Sequence, residues 1–230
     1  MKRLMSAGLL AVAMTGAAGC LVKQTTHTIH LSPEGTVDWV VIEREIRSDE
    51  RDPAARAREE RDYLAAAQLG THPVAEAFAL LGPTEVQTQV YRDERPFMVV
   101  TRARFERLDW VGQRVLDRTG VPGESRFETV PGGVKWTFVA GPEPSEEEGP
   151  AEAEVLGALL EDIDAYRVVL TAGRFVDAVG FTIVDGGSAA VLEERGEEDE
   201  ETDRLVLSLT WTTENPQGHG MHEASASRTP

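Results

Sequence analysis

Short turns separate alternating apolar segments along most of this chain, and that spacing leaves few ways to fold it. "HTIHL" and "VDWVVIEREI" flank Ser32-Pro33-Glu34-Gly35, and "EVQTQVY" and "FMVVTRARF" flank Asp93-Glu94-Arg95-Pro96. "SRFETV" and "VKWTFVA" flank Pro131-Gly132-Gly133. A turn this short returns the next strand antiparallel, whereas a parallel partner needs a crossover of about a dozen residues or more. Within the segments apolar residues recur every second position: Val37, Trp39 and Val41; Val134, Trp136 and Phe138; Leu205, Leu207, Leu209 and Trp211. Such a period gives one core-facing side per strand, and it predicts burial of Trp136 and Trp211. Val40, Ile42 and Ile46 fall on the other side of their strand, which predicts either burial of both faces or a bulge.

Helices are expected between the hairpins. Asp52-Pro53 reads as an N-cap and first helical residue ahead of the alanine-rich "AARAREERDYLAAAQ", which stops near Gly70. A second helix, from Pro73 to Gly82-Pro83, puts Val74, Ala77, Phe78 and Leu81 on one stripe. His72 is read as its start. A third runs from Leu108 to Arg118 and ends in "TGVPG", and a fourth presents Val155, Leu156, Leu159, Leu160 and Ile163. Strands "YRVVLTA", "FVDAVGFTIVD", "AAVLE" and "RLVLSLTWT" follow. The expected fold is α+β, an antiparallel sheet built from successive β-hairpins with helices packed on one side, in one domain over residues 21–213. "GRFVDAVGFTIVDGG", within residues 166–211, resembles the sheet-forming end of small bacterial lipoprotein domains of the LppM type. That resemblance contains no functional motif and implies no site residue.

Two stretches break the pattern. Residues 141–154 are rich in glutamate, proline and glycine with no basic residue, and residues 193–203 hold eight acids against one arginine. Both are expected as solvated loops, since a calcium loop sets its oxygens at fixed positions around a glycine turn and these runs show no such order. Residues 214–230 are polar and small and are expected to be disordered.

The N-terminus specifies an address. Lys2 and Arg3 precede an apolar run, Leu4 to Ala13, then small residues, then Cys20, the sole cysteine. This is the order of an export signal, and the run is short for a membrane span of about 20 residues. Ala17-Ala18-Gly19-Cys20 resembles the lipobox of bacterial lipoprotein precursors, with Ala17 where leucine is usual. The resemblance implies cleavage between Gly19 and Cys20 and fatty-acyl (palmitate-type) modification of Cys20. It also implies anchoring on the periplasmic face of a cell-envelope membrane. Leu21, in place of aspartate after the cysteine, resembles an outer-membrane address. Two or more acyl chains hold a protein stably at a bilayer where one does not. Residues 23–26, "KQTT", read as a polar tether.

Cleavage would remove Lys2 and Arg3, so the formal net charge would move from −17 to −19. A charge of that size repels nucleic acid and anionic headgroups, and no nucleic-acid partner is expected. No catalytic residue, metal or cofactor is assigned, because G-x-S-x-G, H-E-x-x-H, G-x-G-x-x-G and the P-loop are all absent. His27 and His30 fall on opposite faces of a strand, and His219 and His222 beside Met221 form at best a weak soft-metal pair in the tail. The expected function is a non-enzymatic binding or assembly module that holds an envelope protein, glycan or lipid near the membrane. The alternative is an envelope hydrolase using a carboxylate pair, which leaves no sequence signature.

Overall fold

The computed structural model describes residues 21–141, 151–160, 163–192 and 204–212. Along the chain run β1 (Leu21–Leu31), β2 (Val37–Ser48), α1 (Pro53–Leu69), α2 (Pro73–Leu80), β3 (Glu85–Arg92) and β4 (Phe97–Phe105). Then come α3 (Leu108–Thr119), β5 (Gly123–Val130), β6 (Gly133–Ala140), α4 (Ala151–Leu160) and β7 (Ile163–Leu170). β8 (Arg174–Val179), β9 (Phe181–Val184), β10 (Ala189–Leu192) and β11 (Leu205–Thr212) close the fold. The class is α+β, as expected, and the hairpins β1–β2, β3–β4 and β5–β6 pair antiparallel at the turns the sequence marks.

The architecture differs from a single hairpin-built sheet. The strands divide into a seven-stranded sheet, β3-β4-β2-β1-β7-β10-β9, and a four-stranded sheet, β5-β6-β11-β8. β1 and β7 run parallel, which the length of chain between them permits. "FVDAVGFTIVD" is two strands in two sheets: Val179 pairs with Ser208 in the small sheet and Phe181 with Leu192 in the large one. The chain changes sheets at Gly180, with φ of 72°. A Cβ there would lie 2.4 Å from the Leu207 side chain, so the corner calls for glycine.

Three boundaries also move. Residues 23–26 are part of β1, which pairs with β2 from Leu21 onward, so the described chain has no tether there. Lys23 turns inward to Glu43 of β2 and Tyr63 of α1, and Thr25 is buried. Residues 151–154 belong to α4 instead of the acidic loop. Alanine and glutamate are strong helix formers, and Glu152 and Glu154 sit in the first turn, where carboxylates complement the helix dipole. Ile163 opens β7 and does not extend α4. The other expected loop, 193–203, and the tail, 214–230, lie outside the described residues.

One bulge settles the two-faced pattern of β2. Its register against β4 shifts between Arg44 and Ile46, with Glu45 at φ of 52°. Ile46 thereby joins Val37, Trp39 and Val41 on the helix side and is buried, while Val40 and Ile42 remain half-exposed on the far side.

α1 begins as the sequence predicts. The Asp52 carboxylate accepts from the Ala55 N–H at 2.8 Å, and Gly70 closes the helix in the left-handed region. Its buried residues, Glu60, Tyr63 and Ala67, form the single stripe that meets the sheet. The α2 stripe Val74, Ala77, Phe78 and Leu81 is fully buried.

One core joins both sheets. Trp211, fully buried, packs edge-on to Phe127 and Phe175 at centroid separations of 5.7 and 6.3 Å. Its indole N–H donates to the Pro33 carbonyl at 3.2 Å, so the β1–β2 turn is pinned to the small sheet. Gly35, in that turn at φ of 95°, lies where a Cβ would come within 2.6 Å of the Phe127 ring. Trp136 is also buried and donates to Ser125 Oγ at 3.1 Å. Trp110 is half-exposed, with the Arg107 guanidinium 5.4 Å from its ring. Leu205, at the start of β11, is exposed although it continues the alternation.

Truncating Trp136 or Trp211 to alanine should destabilise the protein by roughly 3–5 kcal/mol in urea unfolding. Trp110→Ala should cost less than about 1 kcal/mol. Equal effects at all three sites would contradict this core.

Candidate functional site

The helix side of the large sheet contains a sealed polar cluster. Alternation along β2 places Glu43 two residues beyond Val41 on the core-facing side, and register sets it between Thr25 of β1 and Val99 of β4. Glu43 is fully buried. Its Oε1 accepts from Lys23 Nζ at 2.5 Å and from the Tyr63 hydroxyl at 2.6 Å. Tyr63 comes from α1, and burial together with the adjacent Glu43 charge pushes its phenol above the usual tyrosine range. His72 Nε2 lies 3.0 Å from Thr101 Oγ1 and 3.6 Å from Glu43 Oε2, which itself lacks a hydrogen bond. Desolvation lowers the His72 pKa, against the pull of Glu43. His72 therefore does stand at the start of α2, but its ring caps nothing and turns into the core. Lys23 is the most exposed member of this cluster, at 18 % side-chain exposure. The carboxylate is sealed from solvent, and the cluster ties α1, α2 and the sheet together.

A second acid, Glu60, is treated alike. It accepts from Arg95 at 2.5 and 3.2 Å and from the Ser48 N–H at 3.3 Å. On β1, two residues from Thr25, His27 Nδ1 accepts from the Trp39 indole at 3.0 Å, and Tyr166 packs 4.4 Å from the imidazole. Burial, with the Lys23 charge second, lowers the His27 pKa to about 4. His30 faces away from it, as the spacing predicts.

The other face of the large sheet is open. Register places Thr26, Thr28 and His30 of β1, Val40 and Ile42 of β2, and Met98 and Val100 of β4 on it, all half-exposed. Arginines surround them. Arg44 and Arg47 of β2, Arg92 of β3, Arg102 and Arg104 of β4 and Arg167 of β7 all occupy register positions on this face. Three carboxylates accompany them. Asp38 takes Arg102 in a bidentate pair and Arg104 at 3.2 Å, and Arg167 pairs with Asp185. Glu85, in register with Arg104, accepts from Gln87 at 2.6 Å. The Arg102 hydrogen bonds, reinforced by Arg104, hold the Asp38 carboxyl below the usual range. This face thus carries a surplus of guanidinium in a chain of net charge −17.

Elsewhere, a depression lined by Gly82, Arg114, Arg118 and Glu152 holds groups already engaged. Arg114 donates to the Gly82 carbonyl at 2.7 Å and Arg118 pairs with Glu152 at 3.2 Å. No group of three or more metal-ligating side chains occurs among the described residues. No helix among them is long and apolar enough to cross a membrane. Gly19 and Cys20, the expected cleavage and lipid sites, and His219 and His222 lie outside the described residues.

Sequence reasoning missed the Glu43 cluster and the arginine face. The first had a signal: a glutamate at the alternation position after Trp39 and Val41 requires partners. The second had none, because its arginines come from four strands and share no local spacing.

No family model and no curated protein matches the chain. Among solved structures, it is similar to the NMR structure of the folded domain of LppM from Mycobacterium tuberculosis, at 13 % identity and a TM-score of 0.38. The match covers 84 % of this chain and 91 % of that one. A likeness of that degree assigns neither fold nor function here.

Lys23→Met should destabilise the fold by roughly 3–5 kcal/mol, because it leaves the buried Glu43 carboxylate without its cation. Adding Glu43→Gln should restore most of the loss; a double variant as unstable as the single one would contradict the pairing. Stability should also depend on His27. Between pH 6.5 and about 4 the unfolded chain binds a proton that the folded imidazole excludes. Stability therefore rises with pH across that window, by about 3 kcal/mol in full. His27→Gln should flatten that part of the curve in pH-dependent urea titrations.

Proposed function

We propose that the chain is a lipid-anchored protein of the bacterial cell envelope whose body is a non-enzymatic binding module, held on the periplasmic face of the membrane through acyl chains on Cys20. The observation that carries this reading is the lipobox-like Ala17-Ala18-Gly19-Cys20 behind Lys2, Arg3 and the apolar run from Leu4 to Ala13. Cleavage before Cys20 would make the acylated residue the first of the mature chain. The open face supports the binding role. It is a broad, half-polar sheet surface with side chains that can receive a partner. The hydrolase alternative has no specific observation in its favour. The buried acids Glu43 and Glu60 are closed off and held by Lys23, Tyr63 and Arg95.

Cys20→Ser should abolish incorporation of an alkyne-tagged fatty acid and move the protein from the membrane to the soluble fraction of expressing bacteria. Acyl labelling that persists in the variant would overturn the assignment. Wild-type protein that is unlabelled and soluble would do the same. Sucrose-gradient separation of inner and outer membranes decides which of the two carries it, with the outer membrane expected from Leu21.

A further inference from the structure

We propose that the open face of the large sheet docks onto a membrane surface bearing anionic headgroups, so that the body lies face-down beside its own anchor. The proposal rests on the lipid-anchored reading and names the partner of the open face.

The missing tether is the first reason. β1 is the central strand of the seven, and Leu21, the first described residue, is already paired with Ser48 of β2. Cys20 is one residue away, at most about 3.6 Å of extended chain. An acylated Cys20 would therefore hold the sheet against the bilayer, and the body can rest either on the end of the sheet or on its open face. Val22, on that face, is exposed.

Charge separates the two orientations. The end of the sheet next to Leu21 comprises the segment after β2 and the β3–β4 turn. It bears Asp49, Glu50, Asp52, Asp93 and Glu94 against Arg51 and Arg95, and Arg95 is already paired with Glu60. The open face bears Arg44, Arg47, Arg92, Arg102, Arg104 and Arg167 against Asp38, Glu85 and Asp185, with Glu45 at the bulge. Anionic lipid attracts the face and repels the end. The area suits a surface more than a small ligand. The strands β3, β4, β2, β1 and β7, at about 4.8 Å spacing and with at least about eight residues each at about 3.3 Å, make a patch of roughly 20 by 27 Å.

The net charge, −17 for the whole chain and −19 once Lys2 and Arg3 are removed, opposes approach from a distance. At about 0.1 M salt that repulsion is screened beyond about 10 Å, and at contact the local arginines decide. The anchor supplies the encounter, so a face too weak to bind from solution can still dock beside it.

The test uses the full-length lipidated protein in vesicles. Cys20, the sole native cysteine, is blocked by acylation in this reading, so Thr28→Cys or Gln87→Cys provides a unique thiol for a nitroxide on the open face. Arg58→Cys, exposed on α1, reports the opposite side. Collision with a water-soluble relaxation agent is measured in vesicles of phosphatidylcholine with and without phosphatidylglycerol. The expected result is protection at Thr28 and Gln87 in anionic vesicles alone, none at Arg58, and loss of protection in about 1 M salt. Arg44→Glu with Arg47→Glu should shift the docking equilibrium by about fivefold or more per arginine towards the exposed state. Protein that does not float with the vesicles refutes the anchor. Protein that floats while both face labels stay water-exposed refutes the docking and leaves the anchor standing. Protection that appears only on adding an envelope protein fraction would also overturn it, in favour of a protein partner.

Discussion

Burial of Trp211 at the meeting of the two sheets is the contact on which the rest of the structure depends. The small sheet has four strands and shares one hydrophobic core with the large sheet. Trp211 closes that interface by entering the common core, stacking edge-on with Phe127 and Phe175, and satisfying its indole N–H on the Pro33 carbonyl. An indole buried without that acceptor would leave a donor unpaired in apolar surroundings. The bond thus fixes the β1–β2 turn, and with it the central strand of the large sheet, relative to the small one. Gly35 and Gly180 serve the same junction, at a turn pressed against Phe127 and at a corner pressed against Leu207.

Polar burial is arranged on the helix side of the large sheet by a different rule. Apolar burial there would tolerate several placements of α1. Glu43 is selective, because its carboxylate must find a cation and donors together, and Lys23 and Tyr63 supply them from β1 and α1. A buried pair of this kind is weak as a source of stability and costly to break. Its consequence is positional. It sets α1 on the sheet through Tyr63, with Ile46, Ala67 and Val99 filling the apolar space beside it.

The charge of the chain is distributed unevenly, and its sum describes the molecule poorly. Acidic residues are abundant in the segments 141–154 and 193–203, whereas the open sheet face collects arginine. Asp38 shows how the face is ordered. It binds Arg102 and Arg104 together and so holds two guanidinium groups side by side without neutralising both. In the proposed arrangement, a surface of this sign, one residue from Cys20, would be oriented by the same membrane that holds the lipid.

The sequence by itself determined the local elements, because their causes are local. Period-two alternation gave the strands, Asp52-Pro53 and Gly70 bounded α1, and tight turns gave the three hairpins. It also determined that Trp136 and Trp211 are buried, and it carries the lipobox-like residues before Leu21. The tertiary structure decided what depends on distant partners. The division into two sheets, the parallel pairing of β1 with β7, and the break at Gly180 follow from which strands find one another across long separations. The direction of His72, the partners of Glu43 and the gathering of arginines from β2, β3, β4 and β7 follow from register. Register is a property of pairs of strands, so no single segment of the sequence contains it.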